Sequence, residues 1–422
     1  MKLQGNTFYL SFGMVLSLCL LLGLGNGCVS KQDRQSQGIK VAQSSTLYIP
    51  QLLERHAMIG TVEEQRKVTN IYAELKAALQ VKPEDYRKRL QMAQLCMLEA
   101  RATGEHGHYY PATLKVLDHI LIDNPPKDVK FGALSLKASV QLSLHEFADA
   151  KETAKQAIAI NGYNALIYGV LVDAHVELGE YKQAVKMADK MVSIRPDLRS
   201  YARISYLREI HGDLTGAIEA MQMAVDAGYP GYEETAWAGL TLGELYKKSG
   251  ALDKAEAQFQ GILLQRPHYP FAIAALANVH QEQKLTHQAK AELMQAMEII
   301  PEVSFYIDMA KIMKAEGKTQ EVQQMVGEIL EMLADDVANG HKMDLEYARL
   351  YLELLEQPEK ALEYAEVAYR ARPENIDVNQ LMGAIYVYMK DTRTARPYVE
   401  KAARTGKIDA ELKKLKETLE TS

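Results

Sequence analysis

The stretch that decides the fold is Ala236–Pro267, AWAGLTLGELYKKSGALDKAEAQFQGILLQRP. Two runs with apolar residues at helical spacing flank Ser249-Gly250-Ala251. Gly250 accepts the left-handed backbone that stops a helix. Ala255 lets a second helix come close, and Tyr246 and Phe259 fill the space beside it. Pro267 suits the opening of a further helix, where a missing N–H leaves no bond unmade. One such helical pair cannot bury its apolar stripe alone, so it needs neighbours of the same kind.

The neighbours are present. The small residue of the second helix recurs at Ala112, Ala150, Ala184, Ala217, Ala255, Ala289, Val322, Ala361 and Ala395. From Ala150 onward the gaps are 34, 33, 38, 34, 33, 39 and 34 residues. The turn recurs as Leu178-Gly179-Glu180-Tyr181, His211-Gly212-Asp213-Leu214 and Glu316-Gly317-Lys318, and prolines close units at Pro83, Pro196, Pro267, Pro301 and Pro373. Leu242-Gly243-x-x-Tyr246, Ala255-x-x-x-Phe259 and Pro267 together resemble the tetratricopeptide repeat. The resemblance covers roughly residues 60–408. It departs at Gly239, where the pattern has tryptophan, at Val322, and at three insertions: Gly104–Tyr110, Gly228–Gly231 and about Asp335–Asp344. It implies an all-α fold, a right-handed superhelical solenoid of about nine helix–turn–helix units. The length of 422 residues would otherwise suggest two or three compact domains.

The N-terminus reads as an address. Lys2 precedes an apolar run, Phe8–Leu24, and then Gly25-Asn26-Gly27-Cys28, the layout of an export signal. The run is short of the roughly 20 residues that span a bilayer as a helix. Gly27-Cys28 resembles the processing site of a bacterial lipoprotein, although Leu24 stands four residues before the cysteine where three is usual. This reading makes 1–27 a signal peptide, 28–59 a lipidated Cys28 with a polar tether, 60–408 the solenoid and 409–422 a C-terminal capping helix. It places the protein in the bacterial cell envelope, facing the periplasm. Val29, which is not aspartate, fits the outer membrane rather than the inner. A retained anchor and a soluble exported adaptor are the alternatives.

Composition narrows the function. Lys and Arg number 49 against 55 Asp and Glu, a net charge of −6, which argues against a general nucleic-acid binder. Three cysteines, of which only Cys96 remains if Cys28 is lipidated and Cys19 removed, give no disulfide framework and no multi-cysteine zinc site. Neither G-x-S-x-G nor a phosphate-binding loop is present, and His145-Glu146 lacks the second histidine of H-E-x-x-H because Asp149 stands there. The chain therefore reads as a non-enzymatic binding protein with no cofactor. The alternative is a metal-dependent enzyme or binder at His106 and His108 in the first insertion.

Binding residues follow from the resemblance, which implies that the first helix of each unit lines a concave groove. Its inward row takes in Ser139, Asp173, Tyr206, Glu244, Asn278 and Lys311. Positions on the same helical face add Arg199, Trp237, Phe271 and Ile307. Aromatic residues flanked by charges suit peptide recognition. Asp173 and Glu244 favour a neutral or basic protein segment over an acidic tail. The expected partners are thus proteins or peptide segments, with no nucleic acid, and the membrane is reached through the lipid on Cys28.

Overall fold

A computed structural model describes residues 48–421. The expectations for the signal peptide, Cys28 and most of the tether lie outside the described residues. Among the described residues there is no strand, and no helix is long and apolar enough to cross a membrane.

A single helix, α1 (Val62–Val81), leads into nine antiparallel pairs. They are α2 (Tyr86–Thr103) with α3 (His106–Ile122), α4 (Lys127–Ser143) with α5 (Phe147–Ile160), and α6 (Ala165–Glu177) with α7 (Tyr181–Ile194). Next come α8 (Leu198–Ile210) with α9 (Leu214–Asp226), α10 (Glu233–Lys248) with α11 (Leu252–Gln265), and α12 (Pro270–Glu282) with α13 (Thr286–Ile299). The last are α14 (Val303–Ala315) with α15 (Thr319–Ala338), α16 (Asp344–Glu353) with α17 (Pro358–Ala371), and α18 (Ile376–Tyr388) with α19 (Thr392–Ala402). A final helix, α20 (Ala410–Glu420), packs on α18 and α19. The chain is thus an all-α helical solenoid.

The recurring small residue explains the pairing. Ala150, Ala184, Ala217, Ala255, Ala289, Ala361 and Ala395 are all 0% exposed, and Val322 is buried as well. Gly243 shows how close the helices come. A Cβ placed there would overlap the ring of Phe259, so the L-G-x-x-Y glycine and the A-x-x-x-F phenylalanine are two halves of one contact. Pairs join through shared apolar clusters, such as Ala236, Phe259 and Ala272, which draws on α10, α11 and α12.

The curvature has a visible cause. From α2 to α12 each first helix touches the first helix of the next unit, while the second helices stay further apart. First helices therefore lie on the inside of the bend. α6 is buried on every face, as expected of a helix with neighbours all round.

The bend closes into contacts between successive coils. Arg266 pairs with Glu64 at 3.0 Å, the amide of Lys342 donates to Leu144 O at 3.2 Å, and Arg372 pairs with Glu177 at 2.5 Å. Asn375 Nδ2 donates to Glu177 O, the amide of Ile376 donates to the Tyr181 hydroxyl, and Gly212 abuts Gly406. Every one of these contacts joins residues about 200 positions apart, so one coil holds between five and six units of 33–39 residues. The turns inside units of the first coil meet the turns between units of the second. We call this line the seam.

The insertions and the segment before α1 are built into the array. The insertion near Asp335–Asp344 is taken up in part by α15, which runs on to Ala338. In the first insertion, helix α3 begins at His106 and takes in most of the inserted residues. Residues 48–59, read as the end of a tether, pack onto the array. The Tyr72 hydroxyl donates to Pro50 O at 3.0 Å, the amide of Leu53 donates to the Tyr109 hydroxyl at 3.0 Å, and Arg55 pairs with Glu99 at 2.5 Å. Ile59 is buried in a cluster with residues of α12, α13 and α14.

Candidate functional site: the concave face

The inward row has a simple structural definition. Ser139, Asp173, Tyr206, Glu244, Asn278 and Lys311 each stand four residues before the last residue of a first helix. The same position gives Glu99 on α2, Arg349 on α16 and Ala384 on α18, three members the sequence reading passed over. Glu99 escaped because the seven-residue insertion shifts the count from Ala112, and Arg349 because its unit is short. Counting back from the helix end rather than from the alanine recovers both.

The row is bound together by polar bonds between neighbours. Asp173 takes two bonds from the Arg203 guanidinium, at 3.0 and 2.7 Å, with both side chains buried. Arg203 fits because Gly169 has no Cβ; one placed there would lie 2.9 Å from the guanidinium carbon. Arg199 pairs with Glu234 at 2.7 Å and Lys311 with Glu353 at 3.2 Å, while Asn278 donates to Asp308 at 2.9 Å. Glu244 holds Lys247, one turn on, at 2.9 Å.

The aromatic members lie at the edges of apolar clusters. Phe271 meets Phe305 edge-on at 5.7 Å, and Trp237 packs against the cluster of Leu198, Ala202 and Leu242. Tyr206 is partly buried against the cluster of Val176, Tyr181 and Leu207, and desolvation holds its hydroxyl far above the usual range. Ile307 belongs to the core with Val322 and Ile329 of α15, so it does not face the axis as expected.

Burial dominates the electrostatics. It raises the Asp173 carboxyl to about 6 against the pull of Arg203. It raises Glu302 to about 7, helped by the nearby charge of Asp336, which itself sits at about 6. Both carboxyls lie near the turns that flank the α14–α15 unit, Glu302 just before α14 and Asp336 near the end of α15.

The two candidate metal ligands do not converge. His108 Nε2 bonds Gln51 O at 2.9 Å, while the His106 ring stacks on Tyr110 at 5.0 Å and lies 6.0 Å from that of His341. Burial, with His341 beside it, lowers His106 to about 4. Among the described residues, no group of three or more histidine, cysteine, aspartate or glutamate side chains is arranged to hold a metal ion. The insertions that carry His106 and His341 meet at the seam; a Cβ on Gly107 would lie 2.5 Å from Asn339.

Comparison with known proteins agrees with the repeat reading. The family model described as tetratricopeptide repeat matches residues 141–208. Cellulose synthase operon protein C of Pseudomonas fluorescens is 23% identical over 171 residues, which cover 38% of this chain and 13% of that protein. Small glutamine-rich tetratricopeptide repeat-containing protein 2 of Saccharomyces cerevisiae is 28% identical over 114 residues, 26% of this chain and 33% of that protein. The chain therefore spans less than two thirds of either relative. Among solved structures, human IFIT1 with PPP-AAAA aligns over 83% of this chain and 96% of its own, at 12% identity and a TM-score of 0.45.

Proposed function

Since this chain belongs to the tetratricopeptide repeat proteins, a family of protein-interaction scaffolds, we propose that it is a non-catalytic assembly factor of the bacterial cell envelope. It is held to the membrane through a lipid on Cys28, and it receives an extended, neutral or basic segment of a partner protein along its concave face.

The observation that carries this reading is the tightness of the coil. Between five and six first helices side by side, at about 9–10 Å spacing, form a ring roughly 9 Å in radius. A helix with its side chains has a radius of about 5–6 Å, so the bore left is on the order of 3–5 Å in radius. That leaves room for at most one extended chain, and not for a helix or a folded domain. The carboxylates of Asp173 and Glu244 on the inward row favour a neutral or basic segment over an acidic one.

A photo-crosslinking residue placed at Trp237 or Glu244, against one at the exposed Glu219 of α9, tests the reading in cells. Expected is one partner segment, mapped by mass spectrometry, captured at 237 and 244 and not at 219. Equal capture at all three positions removes the concave assignment. Labelled palmitate should enter the wild type and not Cys28→Ala; labelling of both, or of neither, removes the anchor.

A further inference from the structure

We infer that one rim of the coil, marked by Val81, Ile122, Tyr163, Tyr229 and Tyr232, rests on a lipid surface. Antiparallel pairing puts all turns between units on one edge and all turns within units on the other. In the first coil the within-unit edge is covered by the second coil along the seam. The between-unit edge is the outer rim.

That rim carries an exposed bulky apolar side chain at nearly every turn. Val81 is 88% exposed, Ile122 78%, Tyr163 85%, Tyr229 75% and Tyr232 58%. The turn between α7 and α8, with Arg195, is the exception. At the opposite outer edge, the within-unit turns of the second coil, Leu285 reaches only 47% and Met389 38%. Single exposed apolar residues are ordinary, as Val62 (83%) at the start of α1 and Leu264 (87%) near the seam show, but five gathered at four of the turns along one edge are not. Tyr229 and Tyr232 flank or sit in the Gly228–Gly231 insertion, so the extra residues of that turn serve to display rings. Tyrosine, apolar in the ring and polar at the tip, suits the boundary between lipid and water.

The path of the chain points to the occupant. Gln51 and Leu53 lie against the first turn of α3, at His108 and Tyr109, while Tyr48 lies under Lys115, two turns further along. Read towards its start, the segment climbs α3 towards Ile122. Ile49 likewise joins the cluster of Leu75 and Leu79, near the Val81 end of α1. Lys115 is about 10 Å short of Ile122 along the helix. The 47 preceding residues, with the apolar run Phe8–Leu24 and Cys28, thus join the array at the end that displays Val81 and Ile122. Charges beside the rim are of both signs, such as Lys82 with Glu84 and Asp123 with Lys127. Docking therefore depends on apolar side chains entering the headgroup layer, not on attraction to anionic lipid.

The inference rests on the membrane attachment proposed above, and the test separates the two. The full chain, as isolated, is mixed with phosphatidylethanolamine–phosphatidylglycerol vesicles with or without brominated acyl chains and then floated. Ile122→Trp and Tyr163→Trp report on the rim, Leu285→Trp on the opposite edge, and the parent with its single Trp237 supplies the baseline. Expected is a blue-shifted rim signal lost in brominated vesicles, with the Leu285→Trp signal unchanged. Floating protein with neither signal quenched, or both quenched alike, overturns the rim and leaves the anchor. Quenching that persists in Cys28→Ala shows that the rim docks without the lipid and keeps the rim. A wild type that does not float, or a rim that cross-links to a second copy without quenching, overturns the proposal.

Discussion

At the scale of the residue, the inward positions double as structural bonds. Asp173 and Arg203 are buried together, and removing one leaves the other charged without its partner. Asp173→Ala should lower the urea stability of the central units by about 3–5 kcal/mol, whereas Asp173→Leu with Arg203→Met should recover most of that loss. A single substitution that leaves the midpoint unchanged would show that the pair has no structural weight. Cys96 gives a simpler check. Its thiol is buried and pushed up to about 12 by desolvation, with the charge of Glu99 adding to it. In the native protein at pH 8 it should not react with a thiol reagent, and in denaturant it should react at once.

At the scale of the element, each helix is held by its neighbours in sequence, so damage should stay local. α20 covers the end of the array with Leu412, Leu415 and Leu419. It is tied down by Gln380 bonding Asp409 and Glu411, and by Lys407 pairing with Asp377 at 2.7 Å. A chain stopped before Asp409 exposes three leucine sites, on the order of 5 kcal/mol of burial. Hydrogen exchange should then show α18 and α19 losing protection while α6 keeps its own. Loss of protection throughout would mean that the array unfolds as one body.

At the scale of the molecule, the seam decides the shape and gives it a pH dependence. His106 and His341 both sit at about 4 in the fold, chiefly through burial, against 6.5 when unfolded. As pH falls from 6.5 to 4 the unfolded chain binds protons that the fold refuses, so stability is lost over that window. The loss is up to roughly 3 kcal/mol for each histidine. Glu302 at about 7 and Asp336 at about 6 act in the opposite sense, because the fold takes up their protons first. The histidines are at the seam itself, so scattering should show the coil expanding between pH 6.5 and 4, and His106→Phe should reduce that expansion. An unchanged radius across the window would detach the histidines from the seam.

The sequence determined the helical pairs, their number and their order. Ala255, Gly243 and Phe259 act over less than one unit, and the same local contact repeats wherever those residues recur. It also located the last turn of most first helices, because a residue's place on a helix face follows from counting. Only the tertiary structure decided where one coil meets the next. Glu177 with Arg372, and Gly107 beside Asn339, carry no local mark in the sequence. Their meeting depends on a small rotation between units, summed over some 200 residues, and no single spacing records that sum. The same accumulation sets how narrow the bore is and which rim faces outward, the two features on which the proposed binding and docking depend.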